Sequence, residues 1–178
     1  MQIEPDILSE AAKLITLCRA KGEMIATAES CTGGLIAGGL TAVDGSSSVV
    51  DCGFVTYSNE AKHGLIGVAQ ELLDKHGAVS EPVAIAMAEG ALARAPLATM
   101  AIAVTGIAGP GGGSEEKPVG LVHLACAGND RPALHRRRIY DGDRHAVRKA
   151  TILEAYDMLF EMAGKSKQVR TGKSIPDT

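Results

Sequence analysis

Apolar runs of strand length recur between stretches of helical periodicity, and this alternation limits the possible folds more than any other feature of the chain. From Pro5 to Arg19, the residues Ile7, Leu8, Ala11, Leu14, Ile15 and Cys18 follow helical spacing, and Gly22 stands where a helix commonly stops. Met24 to Ala28 predicts a strand, Glu29 to Gly34 a tight turn, and Leu35 to Val43 a helix. Val49 to Tyr57, rich in Val, Phe and Tyr, predicts a second strand, followed by a helix from Glu60 to Ile66 with Asn59 as its N-cap. Glu71 to Lys75 forms a further short helix closed by Gly77, and Ser80-Glu81-Pro82 opens another that runs to about Arg94. Ala98 to Val104 and Val119 to Cys126 read as buried strands, and Leu134 to Tyr140, with His135 and three arginines, as an edge strand. A long helix from Asp143 buries Ile152, Leu153, Tyr156, Leu159, Phe160 and Ala163 on one stripe. The expectation is an α/β fold: a three-layer α/β/α sandwich with a mixed sheet, one domain over 1–164, followed by a polar tail over 165–178 expected to be disordered. Strand order is not written in this pattern.

Composition narrows the function classes. A net charge of −3 gives no general attraction to phosphate backbones or anionic membranes, and two Phe, three Tyr and no Trp offer few platforms for stacking bases. Nucleic acid and membrane are therefore not expected partners. No apolar run reaches membrane-spanning length and the N-terminal MQIEPDILSEAAKL has no leader pattern, so a cytoplasmic protein is expected. Cys18, Cys31, Cys52 and Cys126 form no C-x-x-C pair and the five histidines show no ligand spacing, which signals neither a disulfide framework nor a metal site.

Four stretches could carry chemistry. Glu29-Ser30-Cys31-Thr32-Gly33-Gly34 joins a strand to a helix, where unpaired N–H groups favour an anion or a developing oxyanion; Ser30 or Thr32 could equally serve as a simple helix cap. Thr105 to Pro118 is a glycine-dense loop leaving a central strand, matching neither a Walker loop nor a dinucleotide fingerprint, and a surface loop is the bland alternative. Gly45-Ser46-Ser47-Ser48 and Tyr57-Ser58-Asn59-Glu60-Ala61-Lys62 flank one strand. With Asn59 as N-cap, Lys62 takes the third helical position, where the helix dipole disfavours its charge; a neutral lysine can act as base toward a serine, although a lysine on a short helix is usually solvated. At Asp141-Gly142-Asp143-Arg144, Asp143 is a plausible N-cap and the Arg144 guanidinium suits a phosphate, with a surface ion pair as the alternative. Cys31, at a helix start, ranks below the serines as a nucleophile.

Together AESCTGG (28–34), GFVTYSNEAK (53–62), GAVSEPV (77–83), TGIAGPGGGSEEKPVG (105–120) and GDR (142–144) resemble the CinA carboxy-terminal family, in order, over about residues 7 to 162. The resemblance implies hydrolysis of nicotinamide mononucleotide to nicotinate mononucleotide and ammonia, a step in pyridine nucleotide salvage. It implies no metal or cofactor, a small nucleotide as the partner, and a homodimer or larger homo-oligomer. Two-domain relatives carry this module behind a molybdopterin-binding-like domain, and the present chain is expected to act without one. Carried over by position, Ser47 is the expected nucleophile, Lys62 the base and Tyr57 its assistant, with Ser30 in reserve. Ser30, Thr32, Gly33, Thr105, Gly106 and Arg144 are the expected pocket residues. Two rival readings are a nucleotide-binding module without catalysis and a cysteine hydrolase built on Cys31.

Overall fold

The computed structural model describes residues 3–164, and the tail over 165–178 lies outside the described residues. The elements in chain order are α1 (Pro5–Lys21), β1 (Ile25–Glu29), α2 (Leu35–Thr41), a 3₁₀ turn (Ser46–Ser48), β2 (Val50–Val55), α3 (Asn59–Ile66), α4 (Gln70–His76), α5 (Glu81–Arg94), β3 (Met100–Gly106), β4 (Leu121–Gly128), β5 (Arg131–Ile139) and α6 (Arg144–Gly164). The strands form one sheet in the order β2-β1-β3-β4-β5. β1 pairs in parallel with both β2 and β3, whereas β4 and β5 are antiparallel additions. The sheet is thus mixed, and helices cover both faces as the alternation predicts.

The two faces pack differently, and the difference positions the site. Toward α1, α2 and α6 the sheet presents large side chains such as Ile25, Ile102, Val104 and Leu124, which meet Leu14, Ile15, Tyr156 and Leu159. Burying one such aliphatic chain contributes about 1.5–3 kcal/mol. Toward α3, α4 and α5 it presents alanines, Ala26, Ala28, Ala101, Ala103 and Ala125, against Ala84, Ala88 and Ala91 of α5. Small residues allow close approach, and it extends to the helices: a Cβ at Gly90 of α5 would lie 2.0 Å from the Ile66 carbonyl oxygen of α3. So α3 is held at a fixed height over the sheet.

α2 leaves β1 toward β2 on one face, while α3, α4 and α5 lead from β2 to β3 on the other. The direction in which strands are added to the sheet therefore switches between β1 and β3, and a crevice opens past their carboxyl ends, the usual place for a ligand in an open α/β sheet. At the opposite end Arg131 holds Glu23 with two hydrogen bonds of 2.9 and 3.0 Å, both side chains being buried. Among the described residues no helix is long and apolar enough to cross a membrane.

Element limits shift by a few residues from the sequence expectation, and one shift matters. Ser58, not Asn59, caps α3, because the Ser58 hydroxyl accepts from the Ala61 N–H at 3.0 Å. Lys62 is then the fourth helical residue, farther from the positive end of the dipole than expected. Asp143 caps α6 as predicted, its carboxylate accepting from the Ala146 N–H at 2.9 Å.

Candidate active site

Glu29 organises the first wall of the crevice. Its carboxylate is fully buried at the end of β1 and accepts from the N–H groups of Gly34, Ile36 and Ala37 at 2.8–3.0 Å, and from the Thr32 hydroxyl at 2.7 Å. An anion inside the first turn of α2 satisfies donors that a helix start leaves unpaired. The turn is thereby drawn tight, with Gly33 and Gly34 at φ of 63° and 98°, in the left-handed region that glycine tolerates. The Ser30 N–H donates to Val104 O and the Gly33 N–H to Ser30 O.

Lys62 reaches this turn from α3, on the opposite face of the sheet from α2. It is 1% exposed, and its Nζ lies 3.3 Å from Ser30 Oγ, 2.9 Å from Thr56 O and 3.4 Å from Tyr57 O. Burial in this wall holds its pKa below the ordinary lysine value. Ser58 O lies 3.5 Å away as a third acceptor, and a neutral amine can donate to two of these carbonyls and still accept the Ser30 hydroxyl proton.

The expected pairing of Ser47 with Lys62 is corrected by the topology. Ser47 sits in the 3₁₀ turn before β2, and Lys62 follows the far end of that six-residue strand. At about 3.3 Å per residue the two ends are roughly 20 Å apart. The serine turn is fastened instead to α1, where Arg19 donates to Ser48 Oγ and Gly45 O. Ser30, the reserve candidate, is the serine brought to the lysine. A motif can be read from the chain, but which end of a strand it occupies depends on strand direction.

Other predicted residues converge on the same place. Ser30, Tyr57, Lys62, Thr105, Gly106 and Arg144 all line a cavity of about 250 Å³, together with Cys31, Asn59, Ala78, Val79 and Ala108. Tyr57 does not put its phenol on the lysine: its carbonyl accepts from Lys62, and its hydroxyl receives Arg144 Nη2 at 3.3 Å. Arg144 Nη1 also donates to Gly109 O at 3.0 Å, tying the glycine-dense loop to α6. The Thr105 hydroxyl donates to Ala78 O, so it fixes the Ala78 segment. Thr32 and Gly33 stand in the turn wall behind the cavity rather than among its lining. Burial pushes the Cys31 thiol up to about 11, the reverse of what a thiolate nucleophile needs. Sequence reading missed the organising role of Glu29, a charged residue at the end of an apolar strand. It also missed Arg148, one helical turn beyond Arg144, which donates to Thr32 O at 2.8 Å.

The family model of the CinA C-terminal domain matches residues 8–163. The chain is 51% identical over 143 residues to the nicotinamide-nucleotide amidohydrolase PncC of Escherichia coli K12, covering 80% of this chain and 86% of that protein. It is also 51% identical over 148 residues to a CinA-like protein of Anaeromyxobacter sp. Fw109-5, covering 83% of this chain but 36% of that one, so it spans about a third of the length of such relatives. Among solved structures, the competence/damage inducible protein CihA of Agrobacterium tumefaciens superposes with a TM-score of 0.87 at 53% identity, over 91% of this chain and 99% of that one. Motifs, topology and these matches agree over the same residues, and the chain belongs to the CinA C-terminal domain family.

Proposed function

We propose that the protein is an amidohydrolase that converts nicotinamide mononucleotide to nicotinate mononucleotide and ammonia, with Ser30 as nucleophile and Lys62 as general base. The observation that carries this reading is the 3.3 Å approach of buried Lys62 Nζ to Ser30 Oγ inside a cavity past the carboxyl ends of the parallel strands. The 51% identity to a protein named for the same reaction supports the substrate.

Ser30 Oγ attacks the carboxamide carbon while its proton passes to Lys62 Nζ. In this reading the tetrahedral oxyanion is stabilised by backbone N–H groups of the turn that follows β1. As the C–N bond breaks, Lys62 returns the proton to the leaving nitrogen and ammonia departs. Water then gives its proton to Lys62, attacks the acyl-serine ester, and Ser30 recovers its hydrogen from the lysine as the acid is released. Tyr57 serves through its carbonyl, which orients the amine, and through its phenol, which helps hold Arg144 at the cavity mouth. Each step uses protein groups, substrate and water. The same reading takes the enzyme to be cytoplasmic and a homodimer or larger homo-oligomer, which sedimentation of the purified protein checks.

Ammonia release from nicotinamide mononucleotide tests the reading. Ser30→Ala is expected to abolish turnover while Ser47→Ala retains it. Full activity in Ser30→Ala, or no ammonia from the unaltered protein, refutes it.

A further inference from the structure

On the α5 face of the sheet two histidines meet in an arrangement that the proposed reaction does not use. His123 of β4 and His135 of β5 bring Nδ1 and Nε2 to 3.0 Å from each other. Their ring centroids are 5.2 Å apart and their planes 21° from parallel, so with the nitrogens this close the rings meet end to end, and one hydrogen fits between them. The other nitrogen of His135, Nδ1, lies 3.6 Å from Oε1 of Glu81, the first residue of α5. Two cations also act on His123, Arg137 of β5 and Lys117 of the loop before β4.

This group adjoins one wall of the serine cavity. His123 stands directly opposite Thr105 in the ladder of β3 and β4, and the Thr105 hydroxyl donates to Ala78 O at 2.9 Å. Lys117 donates to His76 O at 2.8 Å, and the Ser80 hydroxyl to Gly77 O. The segment so held brings Ala78 and Val79 into the cavity lining and runs straight into Glu81. Glu81 therefore ties the α5 end of the wall to the edge strand β5.

With both rings neutral and the His135 hydrogen on Nδ1 toward Glu81, His123 Nδ1–H donates to His135 Nε2. An added proton binds His123 Nε2, the Nδ1 hydrogen crosses to His135 Nε2, and the charge rests on His135 beside the carboxylate. A second proton would set two N–H groups against each other. Burial, with His135 and Arg137 alongside, pushes His123 down to about 4, so that second step belongs to strong acid. Histidine ordinarily changes charge between about pH 5 and 8.

We propose that Glu81, His135 and His123 form a one-proton latch which, when protonated, holds the start of α5 to β4 and β5 and so positions the Ala78–Val79 wall for substrate. The three are positioning residues, acting through the wall and not on the reacting atoms. Substrate binds more tightly on the acid side of the latch titration than on its alkaline side. The effect on substrate rests on the amidohydrolase reading.

Ring ¹⁵N spectra and kinetics test the latch. The spectra should show one coupled titration, with His123 passing from the Nδ1–H to the Nε2–H form as charge appears on His135. For nicotinamide mononucleotide, KM of Glu81→Gln should exceed that of the unaltered protein by about two- to fivefold on the acid side, the range of an exposed ion pair, and match it on the alkaline side, with kcat alike in both. Taking the ratio of KM values at each pH cancels the titration of the substrate phosphate. His135→Gln should give the same pattern, and Glu81→Asp should recover part of the difference. A ratio that does not change with pH would make Glu81 a plain acid at a helix start and overturn the proposal, as would independent titration of the two rings without a change of tautomer. Absence of ammonia release by the unaltered protein counts against the hydrolytic reading, and the ring titration then decides the latch by itself.

Discussion

Lys62 Nζ lies 3.3 Å from Ser30 Oγ although 32 residues separate them, because β1 and β2 run in parallel and each residue follows the carboxyl end of its strand. The contact therefore depends on two things, the tightness of the turn after β1 and the seat of α3 above the sheet.

The state of Lys62 makes both rate and stability depend on pH. Burial lowers its pKa in the native protein, whereas the unfolded chain keeps the ordinary value of 10.5. Between those two values the unfolded state holds a proton that the native state lacks, so stability rises with pH toward 10.5. Activity should climb with pH through the lowered pKa and then level. Lys62→Met is expected to lose at least about 10²-fold in kcat. Thermal melts should show its stability difference from the unaltered protein changing steadily across that window and becoming constant below it.

Glu29→Gln would put an amide NH₂ against N–H donors that now face a carboxylate. Losing charge-assisted bonds of this kind costs about 2–3 kcal/mol. Urea unfolding should show that loss, and kcat should fall with it since the turn bearing Ser30 relaxes.

Gly90→Ala would drive a methyl to 2.0 Å from Ile66 O and lift α3 away from α5. Overpacking of this sort costs about 1–3 kcal/mol. Displacing Lys62 by an ångström can lower the rate by about 10²-fold. Gly38→Ala in α2, where an added Cβ meets nothing within 4 Å, is the contrast: it should stabilise by about 0.5–1 kcal/mol. Melting temperatures and ammonia release of the two variants separate these outcomes.

Arg131→Met would leave the Glu23 carboxylate buried without its guanidinium, which also donates to Met162 O and Thr99 O. Breaking a buried pair from one side costs about 3–5 kcal/mol. Because this pair lies at the amino ends of β1 and β3, the folded fraction should keep its kcat, a point that chemical denaturation and assays below the melting transition check together.

Periodicity and capping alone determined the elements, the mixed three-layer architecture and the stripe of α6 that faces the sheet, because side chains within one helix or strand are placed by local geometry. The resemblance marked Ser30, Lys62, Tyr57, Thr105, Gly106 and Arg144, all of which meet in one cavity. Tertiary structure decided which serine faces the lysine. From the chain alone Ser47 is the expected nucleophile and Ser30 the reserve, but parallel pairing of β1 with β2 sends one turn to each end of the sheet. It also decided what Glu29 and Arg148 do, since a carboxylate gathering three backbone N–H groups and an arginine holding a turn 116 residues away are relations between segments that no local pattern contains.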